Sequence, residues 1–128
     1  MHQEEYKNIT IEGVKYYGKH MMLTCVACND NLLDLKKIEQ FLRELPGKID
    51  MIRHGEPIAA RFGEGIQVGI SAVQLITTSA ITIHTNDDAR DMYLDVFSCK
   101  WFAEETVINK VNETFAPQEV TYQIVIRK

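Results

Sequence analysis

The sequence predicts an α+β two-layer sandwich, a largely antiparallel sheet with two helices on one face. Three observations lead there. Two segments repeat apolar residues at helical spacing. Several short segments rich in β-branched residues alternate or run apolar, as strands do. The order strand, helix, several strands, helix, strand lacks the regular alternation that builds a doubly wound parallel sheet.

Taken in order, residues 19–28 (Lys-His-Met-Met-Leu-Thr-Cys-Val-Ala-Cys) form a short apolar run that reads as a strand. Asn29-Asp30-Asn31 can cap a helix, and Leu32, Leu35, Ile38, Phe41, Leu42 and Leu45 then recur at helical spacing over 31–45. Pro46-Gly47 is expected to end that helix. Residues 48–54 and 57–62 read as strands, and Gly63, Gly65 and Gly69 mark a loop. Segments 70–77, 80–85 and 92–98 are stronger strands. A second helix is expected over 102–115, with Phe102, Val107, Ile108, Val111 and Phe115 along one side. Glu104 and Glu105 suit its first turn, where carboxylates meet the positive end of the helix dipole. Ala116-Pro117 stops it, and Val120, Tyr122, Ile124 and Ile126 alternate in a last strand. No linker or repeat interrupts 1–128, which reads as one domain.

Composition narrows the function classes. Of 128 residues, 45% are hydrophobic and 25% charged, the balance of a globular protein rather than a disordered or collagen-like chain. Net charge is −4, which argues against a nucleic-acid footprint. No apolar run approaches the ~20 residues that span a bilayer, and Met1-His2-Gln3-Glu4-Glu5 lacks the character of a secretory signal. Cys25, Cys28 and Cys99 cannot all pair within one chain, so reduced thiols in a cytoplasm are expected. Cys25-Val-Ala-Cys28 stands alone and reads as small apolar residues in a strand. His2, His20, His54 and His84 show no metal-ligand spacing, and the acids at Asp87, Asp88 and Asp91 lack calcium-loop spacing. Standard phosphate loops and the hydrolase nucleophile elbow are absent.

Candidate chemistry gathers in 69–99. Ser71 lies in Gly69-Ile70-Ser71-Ala72-Val73, and Thr77-Thr78-Ser79-Ala80 separates two strands. His84 follows in Ile83-His84-Thr85, and Cys99 closes Leu94-Asp95-Val96-Phe97-Ser98-Cys99. Singly, a strand-end serine is a turn residue and a strand histidine a hydrogen-bonder. Together, a Ser, a His five residues on and a Cys twenty residues on resemble the short bacterial and archaeal S-adenosylmethionine decarboxylases. Gly18-Lys19-His20 and Cys28 are also similar to that family.

The resemblance implies a chemistry. Amino-acid decarboxylation leaves a carbanion that needs an electron sink, and no pyridoxal phosphate site is recognisable here. The family makes a pyruvoyl group from an internal serine, which is Ser79 by resemblance, and needs no metal. The Ser79 hydroxyl attacks the Thr78 carbonyl with Ser71 as polar helper. His84 then removes the α-proton of residue 79, and the chain parts into 1–78 and 79–128. Cys99 protonates the decarboxylated substrate; a thiol of ordinary pKa, ~8.5, carries its proton at neutrality. The product feeds polyamine synthesis, spermidine included. The resemblance further implies a homodimer, with active sites near the interface and sheets facing each other between outer helices.

Several positions depart from the family. Thr78 and Ala80 stand where Glu and His are usual. Asn86-Asp87-Asp88 replaces Trp-Pro-Glu, so Asp88 matches the ribose-binding acid with a shorter reach. Phe62 is the one aromatic near the stretch that stacks adenine. Two other readings stay open: pyruvoyl chemistry on ornithine or arginine, and an uncleaved homologue that regulates an active subunit.

Overall fold

A computed structural model describes residues 4–128; Met1, His2 and Gln3, and with them the start of the supposed non-secretory segment, lie outside the described residues. Ten helices and strands follow in the order β1 (Ile9–Ile11), β2 (Val14–Tyr16), β3 (Gly18–Val26), α1 (Leu35–Lys48), β4 (Ile58–Phe62), β5 (Gly69–Ile76), β6 (Ser79–Asn86), β7 (Asp91–Ser98), α2 (Glu104–Phe115) and β8 (Glu119–Arg127). Six strands form one sheet in the order β4-β5-β6-β7-β3-β8. Every pair in it is antiparallel.

The period of two along each strand assigns the faces. Met21, Leu23 and Cys25 of β3 pair with Val96, Leu94 and Met92 of β7, which in turn bring Ile81 and Ile83 of β6 into line. All of these are buried, together with Ile70, Ala72 and Ile76 of β5. They pack with Ile38, Phe41, Leu42 and Leu45 of α1 and Val107, Val111 and Phe115 of α2 in a single core. Both helices therefore lie on one face, as the sequence predicts. The opposite face presents His20, Ser71, Thr82, His84, Tyr93 and Asp95 and carries no helix.

The helices differ from expectation at their ends. Asn29 caps only a short 3-10 turn, Asp30–Leu33, by accepting from the Asn31 amide. Asp34 then takes an extended conformation and caps α1 with its own carboxylate, on the amides of Lys36 and Lys37. Pro46 does not end α1, which runs on to Lys48. Its φ suits a helix, and near the C-terminus a proline removes only one ladder bond. The Pro46 carbonyl instead accepts from the amides of Ile49 and Met51.

The strand expected at 48–54 is not formed. Asp50 takes a positive φ of 58°, which turns the chain, and only a lone bridge joins Arg53 to Ile76. Residues 52–54 still follow the end of β5 through Thr77 N to Ile52 O and His54 N to Leu75 O. The β1–β2 hairpin is an addition to the sequence reading. Glu12 and Gly13, at φ 49° and 80°, make the two-residue turn that matches strand twist.

Two ion pairs of buried lysines brace the molecule. Lys110 on α2 pairs with Glu44 on α1. Lys19 at the start of β3 is fully buried and pairs with Glu104 at 2.6 Å. Between the helices, the Phe41 and Phe115 rings meet with centroids 5.1 Å apart. Phe115→Ala empties the junction of α1, α2 and sheet, so a loss of about 3–5 kcal/mol is expected. Urea unfolding followed by circular dichroism measures it.

Candidate active site

The β5–β6 hairpin turns through only two residues, because Ile76 pairs with Ser79. Thr77 and Thr78 form the turn, and Thr78 is held at φ 60°. For a β-branched residue this left-handed conformation is strained, on the order of 1–3 kcal/mol. Two contacts hold it there. The Thr78 hydroxyl donates to the Thr77 carbonyl at 2.6 Å, and its oxygen lies 2.9 Å from the Cys99 sulfur. The Cys99 amide donates to Ser79 Oγ at 2.9 Å. Thr78, Ser79 and Cys99 thus occupy one corner, beside a cleft of about 250 Å³ lined by Asn8, Met51, Ile52, Thr77 and Lys100 as well as Thr78 and Cys99.

Cys99 reaches this corner because β7 ends there and the following turn is anchored. Lys19 Nζ donates to the Phe102 carbonyl at 2.6 Å and lies 3.8 Å from the centroid of the Trp101 ring. The same ammonium holds the Glu104 carboxyl below the usual carboxylate range. The pairing of Lys19 with the turn after Cys99 was not legible in the residue spacing. Only its place beside Gly18 marked it. A Cβ at Gly18 would stand 2.6 Å from the Phe97 ring, so the chain can pass there only without a side chain.

Ser71 and His84 form a second pair. They are direct partners across β5 and β6, and Ser71 Oγ lies 3.1 Å from His84 Nδ1. Ile58, Val73 and Thr82 line the shallow groove around them. This pair lies on the helix-free face. His84 stands five residues from Ser79 on β6, which is ~16 Å at ~3.3 Å per residue, and the odd interval turns the two toward opposite faces. The structure therefore brings Thr78, Ser79 and Cys99 together, and Ser71 and His84 together, but does not bring the two groups together within one chain.

Phe62 and Asp88 fall at the other end of the sheet from Ser79. Phe62 ends β4 opposite Gly69, and Asp88 is exposed in the turn between β6 and β7. Nearby, Arg61 pairs with Asp87 at 2.9 Å. Neither Phe62 nor Asp88 touches the Ser79 corner.

Cys25 and Cys28 are buried and unpaired. Burial pushes the Cys25 thiol up to about 12, with Cys28 adding to the shift. Burial pushes Cys28 up to about 11, helped by Asp91. Both stay protonated, which suits the apolar reading of the pair.

Comparison with known proteins follows this geometry. The fold is similar to that of an adenosylmethionine decarboxylase from Aquifex aeolicus, with a TM-score of 0.72 over 89% of this chain and 92% of that one, at 17% identity. A model of the S-adenosylmethionine decarboxylase family matches residues 19–128, so the chain belongs to that family. An S-adenosylmethionine decarboxylase proenzyme of Clostridium botulinum strain Langeland is 27% identical over 116 residues, 89% of this chain and 97% of the relative. A proenzyme of the same name from Saccharolobus islandicus is 32% identical over 88 residues, 66% of each chain.

The depressed Glu104 carboxyl gives a pH dependence. A lowered folded pKa contributes stability above the unfolded value of ~4.3, and that contribution is lost as pH falls through the folded value. Glu104→Gln is expected to lower the urea midpoint at pH 7 and to flatten its fall between about pH 5 and 3. Parallel acid titrations of both proteins check this.

Proposed function

We propose that this chain is a proenzyme that cuts itself between Thr78 and Ser79 and then decarboxylates S-adenosylmethionine. The observation that carries the reading is the hairpin corner, where a strained carbonyl-bearing residue, an adjacent serine hydroxyl and a thiol converge. The relatives named above are all S-adenosylmethionine decarboxylase proenzymes. They lend no support to ornithine or arginine as substrate, nor to an uncleaved regulator.

Processing begins when Ser79 Oγ adds to the Thr78 carbonyl carbon. The C–N bond breaks, the hydroxyl proton moves to the Ser79 nitrogen, and an ester replaces the amide. Relief of the strained turn favours this exchange. Loss of the α-proton of residue 79 then expels the Thr78 carboxylate. Tautomerisation and hydrolysis leave ammonia and a pyruvoyl group on residue 79. That group supplies a carbonyl that captures the substrate amine and draws in the electrons left by departing carbon dioxide. The Ser79 corner suits a group made in place, since the Cys99 amide already holds Oγ and a cleft opens beside it. Cys99 holds the proton that returns to the substrate α-carbon. The product is an aminopropyl donor for polyamine synthesis.

The base for α-proton removal is His84. In the tautomer whose Nδ1–H donates to Ser71 Oγ, Nε2 is the nitrogen that can take a proton. One chain cannot bring it to residue 79, because the two lie ~16 Å apart along β6 on opposite faces. This separation supports a homodimer in which a second copy offers its Ser71 and His84 to the Ser79 corner. Phe62 and Asp88 lie toward the His84 end of the sheet and would meet the adenosine from the same copy. Three unpaired cysteines suit a cytoplasmic setting.

Two experiments test the reading. Intact mass under denaturing conditions should show two fragments split at Thr78/Ser79 for the wild type, the second lacking an N-terminal amine, and one full-length chain for Ser79→Ala. The split protein should release carbon dioxide from S-adenosylmethionine; failure to do so while turning over ornithine or arginine would reverse the substrate assignment. For the shared site, His84→Ala and Ser79→Ala chains should each stay uncleaved alone. Expressed together, the His84→Ala chain should be cut, because its partner supplies the base; a co-expressed His84→Ala chain that stays whole excludes the shared site.

A further inference from the structure

The family match begins at residue 19, yet the chain before it reaches the hairpin turn. The Tyr17 hydroxyl donates to the Thr78 carbonyl oxygen at 3.3 Å. Three contacts fix that side chain. Its backbone amide donates to the Arg127 carbonyl at 2.7 Å. Its ring packs on Phe97 at 5.9 Å and on Tyr6 at 5.6 Å between centroids. The β1–β2 hairpin that leads into it lies beside the turn after Cys99, with Asn8 lining the cleft at Thr78 and Cys99 and Ile9–Glu12 flanking Trp101. This segment therefore reaches the same corner, with Tyr17 resting on Phe97 of the strand that leads into Cys99.

We propose that Tyr17 is a catalytic residue of self-processing, the hydrogen-bond donor that stabilises the oxyanion formed on Thr78. The assignment rests on the reading of Thr78–Ser79 as the bond that is cut. When Ser79 Oγ bonds to the Thr78 carbon, the carbonyl π electrons move onto the Thr78 oxygen. The oxygen that becomes negative is the one that already accepts from Tyr17. The electrons return when the C–N bond breaks and the serine proton passes to the departing nitrogen, so the phenol donates a hydrogen bond throughout and never gives up its proton. Donors aimed at a developing oxyanion before reaction cost little reorganisation, and a resting contact of this length shortens as charge grows. Cys99 cannot fill the role, since its amide is spent on the nucleophile and its sulfur on the Thr78 side chain. Ser71 of the same chain lies on β5 at the His84 pair, away from the turn, and a Ser71 offered by a second copy would add a donor beside Tyr17 without replacing it.

The test follows cleavage of freshly translated full-length chain by intact mass. Tyr17→Phe keeps the ring packing and removes only the donor. Cleavage is expected to slow about 100- to 1000-fold, in keeping with loss of one oxyanion donor. Hydroxylamine, which cuts esters but not amides, should not restore the rate, because the lost step precedes the ester. Replacing Tyr17 by 3-fluorotyrosine, a stronger donor still protonated at pH 6, should speed cleavage there; a purely packing role would leave it unmoved. Wild-type cleavage with an unchanged Tyr17→Phe rate, or ester accumulating in that variant, overturns the role of Tyr17 and leaves the proposed function standing. A wild-type chain that never cleaves overturns both.

Discussion

The buried ammonium of Lys19 is the constraint on which the hairpin corner at Thr78, Ser79 and Cys99 depends. A lysine is rarely taken fully out of water, because desolvation costs several kcal/mol per ion unless partners replace the lost hydration. Here the replacements are the Phe102 carbonyl, the Glu104 carboxylate and the face of Trp101. Trp101 and Phe102 belong to the short connection between β7 and α2, and Glu104 is the first residue of α2. Meeting the electrostatic demand of one cation thus pins that connection to the start of β3. Cys99 is its first residue and so inherits a fixed place against Thr78 and Ser79. Glu104 opens α2 as well, so the same pair sets where the helix begins.

The second constraint is one-sided packing. Both helices share a single core with one face of the sheet, leaving the other face to Ser71, Thr82, His84 and Tyr93. A histidine in the middle of that face is positioned by its neighbour strand yet open to whatever covers the sheet. The hairpin corner, at the sheet's end, is positioned by the connections around it. Two partial sites with separate supports can each be built well by a short chain. In the proposed homodimer, bringing them together would be a matter of association rather than of a longer fold.

Much of the architecture was legible because side chains on one face repeat with the period of the element. The alternation of Val120, Tyr122, Ile124 and Ile126 marked β8, and the spacing of Ile38, Phe41, Leu42 and Leu45 marked α1. Where backbone geometry rather than burial decides, the pattern misled. Residues 48–54 have strand-like composition, but Asp50 in a left-handed conformation and the Pro46 carbonyl fold them into a turn. Pro46 looked like a stop and is a tolerated member of a last helical turn. The first hairpin did carry a signal, Ile-Thr-Ile and Val-Lys-Tyr around Glu12-Gly13, a two-residue turn between alternating strands. Spacing along the chain also placed Ser79, His84 and Cys99 in one pattern. Only the fold could separate them, because an interval of five on a strand means the opposite face. Tyr17 was invisible for a different reason: its partner is a backbone oxygen sixty-one positions away, and carbonyls leave no trace in sequence.

In the proposed self-cleavage, the residue before the cut has a particular physical standing. The electrophile is its carbonyl, which every amino acid has, so its side chain acts only through the conformation it allows and the neighbours it touches. Thr78 does both. Its branched side chain raises the energy of the left-handed turn, and its hydroxyl secures that turn through Thr77 and Cys99. In the self-cleavage proposed above, that strain would be released as the amide becomes an ester, so it would assist the reaction instead of merely weakening the fold. The far end of the sheet, with Phe62 and Asp88, is free to differ without disturbing this arrangement. Under the proposed function, changes there would alter what is held, while the corner at Thr78 and Ser79 would govern whether the reactive group forms at all.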